Sequence, residues 1–266
     1  MKTQSVIILT ASLCLGFLSA QAQFGPRGGM GGATAGPRFS GSTARLFGDN
    51  SSFSATMEMQ TKGASADDAM TMPGKISFDQ GKSRFEMDLT QMKSDKMRPE
   101  AAAQMKSMGM DKMITISRPD KKVSYLIYPG MQAYAETPLQ DPSAGAAASD
   151  FKFETTELGK ETVDGHDCVK NKAVVTDKEG NLHESIIWNA TDLKKFPVKI
   201  EQAEQGTAVT MLFKDVKLSG PEASLFEPPS DFTKYDSMQT MMQQQMMKRF
   251  GAGAGGFPPP RPPRSQ

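Results

Sequence analysis

Alternation of apolar and polar residues with a period of two constrains this chain more than any other feature. Phe53, Ala55, Met57 and Met59 share one side of an extended segment, and polar residues occupy the other side. This pattern is typical of a strand that is buried on one face. It recurs along the chain and predicts about ten strands, in residues 53–60, 76–78, 85–89, 113–117, 123–128, 131–136, 151–159, 167–176, 182–188, 198–204 and 207–218.

Short turns separate these strands. Gln80-Gly81, Pro129-Gly130 and Asp164-Gly165 are typical turn sequences between two extended segments. Antiparallel neighbours can be joined by such turns, whereas parallel neighbours need long crossovers. The sequence therefore predicts a mainly β fold with an antiparallel meander.

Two segments carry helix signals. Pro99 begins a predicted helix that ends before Gly109, and Ser237 caps a second one that reaches Phe250. A sheet with one apolar face must have that face covered. Because two short helices cover only part of it, the sheet is expected either to close into a barrel or to enclose a hollow that holds an apolar ligand.

The first 22 residues have the pattern of a cleavable signal peptide. Lys2 precedes an apolar run from Val6 to Leu18, and Ala20-Gln21-Ala22 gives the small-x-small pattern of a cleavage site, so we predict cleavage after Ala22. The apolar run is shorter than the roughly 20 residues of a membrane-spanning helix. We therefore expect a periplasmic or extracellular protein with no transmembrane segment after cleavage.

Composition divides the rest of the chain, residues 23–266, into four segments. Residues 23–50 are rich in glycine and are predicted to be a flexible leader, residues 51–235 the folded domain, residues 236–250 a Met/Gln-rich helix and residues 251–266 a disordered Gly/Pro/Arg tail. Loss of Lys2 takes the formal charge from +1 to 0, and a neutral chain gives no indication of a nucleic-acid partner. Loss of Cys14 leaves Cys168 as the only cysteine, expected to be a buried free thiol.

Four segments in the second half of the chain resemble the DUF4412 group of exported bacterial proteins. They are residues 158–168 (a Gly-x-x-Cys turn), 184–188 (a tryptophan strand), 196–200 (a Phe-Pro-x-Lys strand) and 225–232 (a closing LFE-P-P segment). This group looks similar to the lipoprotein-carrier fold of LolA, LolB and the RseB sensor domain. The resemblance implies a strongly curved antiparallel sheet, a half-barrel with one or two helices on its concave side. In that fold an acyl chain or a hydrophobic partner lies between sheet and helices.

Reactive side chains cluster at one turn. His166 and Cys168, with Asp164 and Asp167 beside them, have the residue types of a metal site, but a closed zinc site needs four ligands. A Cys-His nucleophile pair would need a third, orienting group. A hairpin with a buried thiol is the simpler interpretation, and we expect no catalytic residues, no cofactor and no metal.

Methionine is unusually frequent, with 20 residues in the chain. Thioethers select Cu(I), and they also fill irregular cores and form adaptable binding surfaces. Both interpretations stay open at this point, and adaptable packing is favoured.

The leading hypothesis is a non-enzymatic binding protein that holds a hydrophobic ligand, a lipid or an acyl chain, or a hydrophobic partner such as an envelope lipoprotein. The alternatives are a structural or interaction protein of the cell envelope with a filled core, and a Cu(I)-handling protein. The predicted cavity wall consists of Phe53, Met57, Met59, Phe85, Met87, Leu89, Ile186 and Trp188.

Overall fold

The computed structural model describes residues 41–62, 69–94, 99–139, 150–204 and 207–250. The predicted signal peptide, the leader as far as residue 40 and the tail after residue 250 lie outside the described residues.

Thirteen strands within this part of the chain form one sheet. They are β1 (Ser52–Lys62), β2 (Met70–Asp79), β3 (Lys82–Asp88), β4 (Lys93–Ser94), β5 (Lys112–Arg118), β6 (Val123–Tyr128), β7 (Ala133–Pro138), β8 (Lys152–Val163), β9 (His166–Thr176), β10 (Leu182–Ala190), β11 (Pro197–Glu204), β12 (Thr207–Lys217) and β13 (Thr233–Tyr235). The predicted mainly β class is confirmed. Only β4 and β13 fall outside the strands predicted from alternation.

The sheet is open, and its strand order is β13-β7-β6-β5-β3-β2-β1-β12-β11-β10-β9-β8, with β4 paired to β2 beside this path. It curves around one core but does not close into a barrel. All pairings are antiparallel except β13 with β7, which is parallel. The parallel pair arises because residues 218–232 cross back over the sheet before β13 begins.

Two faces of this sheet are named here by their residues. The inner face carries Phe53, Met57 and the side chains in register with them, and it is buried in the main core. The outer face carries a smaller cluster of Ile116, Tyr125 and Ile127, which Phe226 covers.

Arginines hold the crossing segment on the outer face. Arg118 pairs with Asp120 at 2.7 Å and with Glu227, and its Nη1 also donates to the carbonyl of Phe226 at 3.2 Å. Arg84 Nη1 donates to the carbonyl of Leu225 at 3.0 Å. These contacts pin the segment that leads into β13.

In the described part of the chain, three α-helices accompany the sheet: α1 (Gly41–Arg45), α2 (Pro99–Ser107) and α3 (Met238–Phe250). α2 begins at the predicted proline and stops where Gly109 takes a φ of +73°. There the amide of Met110 donates to the carbonyl of Met105 at 2.8 Å, which satisfies the last turn. Ser237 caps α3 as predicted, since its hydroxyl accepts from the amide of Thr240 at 3.0 Å.

The leader prediction does not hold for its last residues. α1 ends in a turn that buries Leu46 and Phe47, and Phe47 is only 1% exposed. The glycine-rich composition around this pair concealed it, because two apolar residues in isolation make no periodic pattern. The folded part of the chain thus begins by residue 41 rather than residue 51.

Candidate functional site

The inner face of the sheet is the candidate site. The pairing of residues between neighbouring strands shows which side chains belong to it. Across the sheet, Met57 is paired with Gly74, Gly74 with Met87 and Met87 with Met113. The next row runs from Ala55 through Ile76 to Phe85. Of the predicted wall residues, Phe53, Met57, Met59, Phe85 and Met87 all lie on this face, each 9% exposed or less.

Leu89 joins this group from outside a strand. It lies in a 3₁₀ turn, Leu89–Gln91, directly after β3, and packs half-buried against the main core. Asp88 caps this turn by accepting from the amide of Thr90 at 3.0 Å. Burial acts to raise the pKa of Asp88, but hydrogen bonds from Thr90 and Gln91 outweigh it and hold this pKa below its ordinary value.

The structure does not bring Ile186 and Trp188 to the inner face. Ile187 lies there instead, paired with Ile200. Trp188 is paired with Lys199 and Lys170 on the outer face. Because Ile186, Ile187 and Trp188 are all apolar, alternation does not determine which of them face inward, and the face predicted for this strand was wrong.

Trp188 is nevertheless almost fully buried, at 2% exposed. Lysine ammonium groups lie over its ring, that of Lys199 at 4.2 Å from the centroid and that of Lys170 at 4.9 Å. Its Nε1 donates to Glu161 at 2.8 Å. These cation–π contacts and the hydrogen bond account for a buried tryptophan on a solvent-facing surface.

Phe47 closes one part of the inner face. Its ring centroid lies 4.7 Å from that of Phe53, 5.4 Å from that of Phe196 and 5.6 Å from that of Phe213. No pattern in the sequence indicated this cover, since Phe47 stands in a segment without periodicity. An aromatic side chain from the turn that follows a five-residue helix thus packs at the centre of the face.

α3 closes another part of the inner face, packing against β7 and β13. Met241 is fully buried there, while Met246 and Met247 on the same helix are more than half exposed. Gln245 reaches the carbonyl of Met131 at 3.5 Å. The helix is therefore held mainly by methionine side chains, and methionine is the residue type that adapts most readily to an irregular partner.

Methionines also line the face itself. Met57, Met59, Met72, Met87, Met113, Met211 and Met241 belong to the main core. Their burial among aliphatic and aromatic side chains favours packing over metal binding as the role of these residues.

The His166 and Cys168 cluster does not assemble into a reactive site. His166 Nδ1 lies 2.8 Å from Asp192 Oδ2, and the thiol of Cys168 donates to the carbonyl of His166 at 3.3 Å. Burial raises the pKa of Cys168, which keeps it a thiol at neutral pH. Among the described residues, no group of three or more His, Cys, Asp and Glu side chains is placed to hold a metal ion.

The described residues include no helix with both the length and the apolar composition needed to cross a bilayer.

Comparison with known families decides the classification. The sequence profile described as "Domain of unknown function (DUF4412)" matches residues 53–195, more than half of the chain. The chain belongs to the DUF4412 family. The family predicted from the motifs is thus confirmed, although the match ends before the 196–200 and 225–232 segments. No curated protein matches the chain.

Several solved structures are similar to the chain. A LolA superfamily protein from Nitrosomonas europaea has a TM-score of 0.37 and 9% identity, covering 70% of this chain and 94% of its own. Lipoprotein LppX from Mycobacterium tuberculosis has a TM-score of 0.38 and 8% identity, with coverages of 65% and 92%. LprF from Mycobacterium bovis has a TM-score of 0.39 and 12% identity, with coverages of 72% and 95%. TM-scores this low carry no information about ligand or activity.

Proposed function

We propose that the protein is an exported, non-enzymatic binding protein whose inner face takes the acyl chain of a lipid. The observation that carries this proposal is that the inner-face positions of β1, β2, β3 and β12 bear no charged side chain. A face without charge can pack against an acyl chain in place of the side chains that now cover it, and burial there removes the apolar surface of the acyl chain from water. Export is proposed from the N-terminal sequence pattern.

The nature of the covers supports the proposal. Phe47 and Met241, from short elements at both ends of the domain, are among the side chains that pack on the inner face. Such elements make few hydrogen bonds to the sheet, so their displacement costs mainly apolar contact. A ligand that restores the same contact replaces them at little net cost. We propose that α3 is the cover that moves.

A paired substitution on α3 tests this function. Met241→Gln puts a polar amide at the buried anchor of the helix, while Met246→Gln makes the same change at an exposed position. We expect Met241→Gln to raise the affinity for diphenylhexatriene, a fluorescent hydrocarbon, about three- to tenfold, and Met246→Gln to leave it unchanged. Equal binding by all three proteins would show that α3 does not control access, and no binding by any of them would refute the function.

A second candidate is a structural or interaction protein with a permanently filled core. The observation that favours it is the ring of Phe47 at the centre of the inner face, in contact with Phe53, Phe196 and Phe213. On this hypothesis no probe binds even when α3 is removed. A variant that ends at Asp236 therefore separates the two candidates in the same fluorescence assay.

A further inference from the structure

One row of side chains on the inner face changes from apolar to hydroxyl-bearing as it crosses the sheet. The row begins at Ala55 and ends at Tyr235 on the edge strand. Each neighbour in it is a residue pair of adjacent strands, so these side chains lie side by side about 4.8 Å apart along the row. In order, the row reads Ala55, Ile76, Phe85, Thr115, Leu126, Ala135 and Tyr235.

Two hydroxyls in this row have no hydrogen-bond partner among the residues that the structure describes. The oxygens Thr115 Oγ1 and Tyr235 Oη are both buried and unsatisfied, and Tyr235 is 95% buried, being 5% exposed. Folded proteins rarely leave buried polar atoms unpaired, because such atoms have lost water without replacing it. A ligand that accepts hydrogen bonds would satisfy both oxygens.

The rows on either side of this one also carry hydroxyl groups. Ser83, Ser117, Ser124 and Thr137 form the next row on this face. On the other side, the hydroxyl of Tyr128 lies 3.8 Å from the sulfur of Met113, a weak acceptor. On β7, Ala133 and Ala135 contribute only methyl groups, so the inner-face side chains of this strand next to α3 are small.

The second feature of this area is the absence of charged residues at the inner-face positions of its described strands. The inner-face positions of β3, β5, β6, β7 and β13, all of them described residues, include no Lys, Arg, Asp or Glu. Burying a carboxylate or phosphate without a cation is strongly unfavourable, whereas an uncharged oxygen needs only hydrogen-bond donors. The two hydroxyls therefore fit a neutral acceptor.

We propose that Tyr235 and Thr115, whose backbones are about 14 Å apart along the row, each donate a hydrogen bond to a different ester group in the uncharged head of the lipid, while the acyl chain lies along the apolar rows towards β1. This assignment rests on the proposed function and narrows it to neutral, ester-linked lipids. It also gives the ligand a direction, with its polar end under α3 and its apolar end towards Phe53.

Three fluorescent probes test the assignment on the full-length protein: cis-parinaric acid methyl ester, the free acid and diphenylhexatriene. At neutral pH we expect the ester to bind at least fivefold more tightly than the ionised acid. Tyr235→Phe retains the ring and removes one donor, so we expect it to weaken ester binding about tenfold and to leave diphenylhexatriene unchanged. Because this probe carries a single ester group, which we expect at Tyr235, Thr115→Val should weaken ester binding less than Tyr235→Phe does.

Tyr134→Phe is the matched control, because Tyr134 precedes Ala135 on the same strand and packs against Tyr125 on the outer face. It should bind all three probes as the unmodified protein does. If Tyr235→Phe and Thr115→Val also bind the ester unchanged, the hydroxyls hold water only and the assignment is overturned, although the proposed function stands. If the unmodified protein binds none of the probes, both fail together.

Discussion

At the scale of single residues, the core depends on where a few large side chains stand. Phe47 is the clearest case, since its ring packs near four other phenylalanines, from β1, β2, β12 and the segment before β11. Alternation identified the strand residues beneath it but gave no account of Phe47 itself.

Phe47→Ala should destabilise the fold by about 3–5 kcal/mol, because it removes a fully buried ring and leaves a cavity. Urea denaturation monitored by circular dichroism measures this change. Phe232→Ala, at a half-buried position on the outer face, is the control and should cost clearly less. A loss below about 1 kcal/mol for Phe47→Ala would place this side chain outside the core.

Arg118 gives a residue-scale prediction about pH. Its hydrogen bonds lower the pKa of Asp120 to about 2. A carboxyl whose pKa is lower in the folded than in the unfolded state contributes stability above its unfolded pKa, near 4, and loses it as the pH falls towards 2. Asp120→Asn should therefore lose less stability than the unmodified protein between pH 5 and pH 2.

The measurement is the free energy of unfolding in urea at both pH values. Asp231→Asn, an exposed position in the crossing segment, serves as the control and should follow the unmodified protein. Because Asp120 is itself largely exposed, we expect a modest difference, screened by solvent. If the free energy of unfolding depended on pH in the same way in Asp120→Asn and in the unmodified protein, the ion pair between Arg118 and Asp120 would be contradicted.

At the scale of elements, local signals in the sequence were sufficient where they were periodic or carried a cap. The strands from β1 to β12 other than β4, and the helices α2 and α3, lie close to their predicted positions. β13 was missed because three residues are too few to alternate, and its pairing with β7 depends on the distant contacts of Arg118 and Phe226. The predicted face of β10 was wrong because Ile186, Ile187 and Trp188 are all apolar.

The end of α2 offers a test at this scale. Gly109 has a φ of +73°, and a Cβ there would lie 2.6 Å from the carbonyl oxygen of Gly130. Gly109→Ala should therefore cost about 2 kcal/mol or more, from strain and from the lost close packing against the turn at Gly130.

Gly165→Ala is the matched control for this change. Its φ is +85°, but nothing lies within 4 Å of the added carbon, so only the conformational strain remains. Thermal unfolding should place Gly109→Ala below Gly165→Ala in stability. Equal losses would show that the contact between α2 and this turn does not matter to the fold.

At the scale of the whole molecule, the sequence predicted the class of fold, the one-sided sheet and the family. All eight predicted wall residues belong to the main core or pack against it, and five of them share the inner face, because period two determines which side chains share a face; that they form the wall of a cavity stays a prediction. The sequence predicted that two helices cover part of that face, and Met241 of α3 does pack there, but it did not predict the cover by Phe47. The hydroxyl-bearing end of the face likewise depends on the register of four strands, β5, β6, β7 and β13, which no local pattern reveals.

The central claim is that the inner face holds the acyl chain of a lipid. Native mass spectrometry of the full-length protein, purified from the envelope or medium of its own cells, tests this most directly. We predict a bound species that organic extraction removes and identifies as a neutral, ester-linked lipid, with occupancy that falls in Tyr235→Phe but not in Tyr134→Phe. Protein that repeatedly shows only its own mass, both before extraction and in the variant ending at Asp236, would contradict the claim.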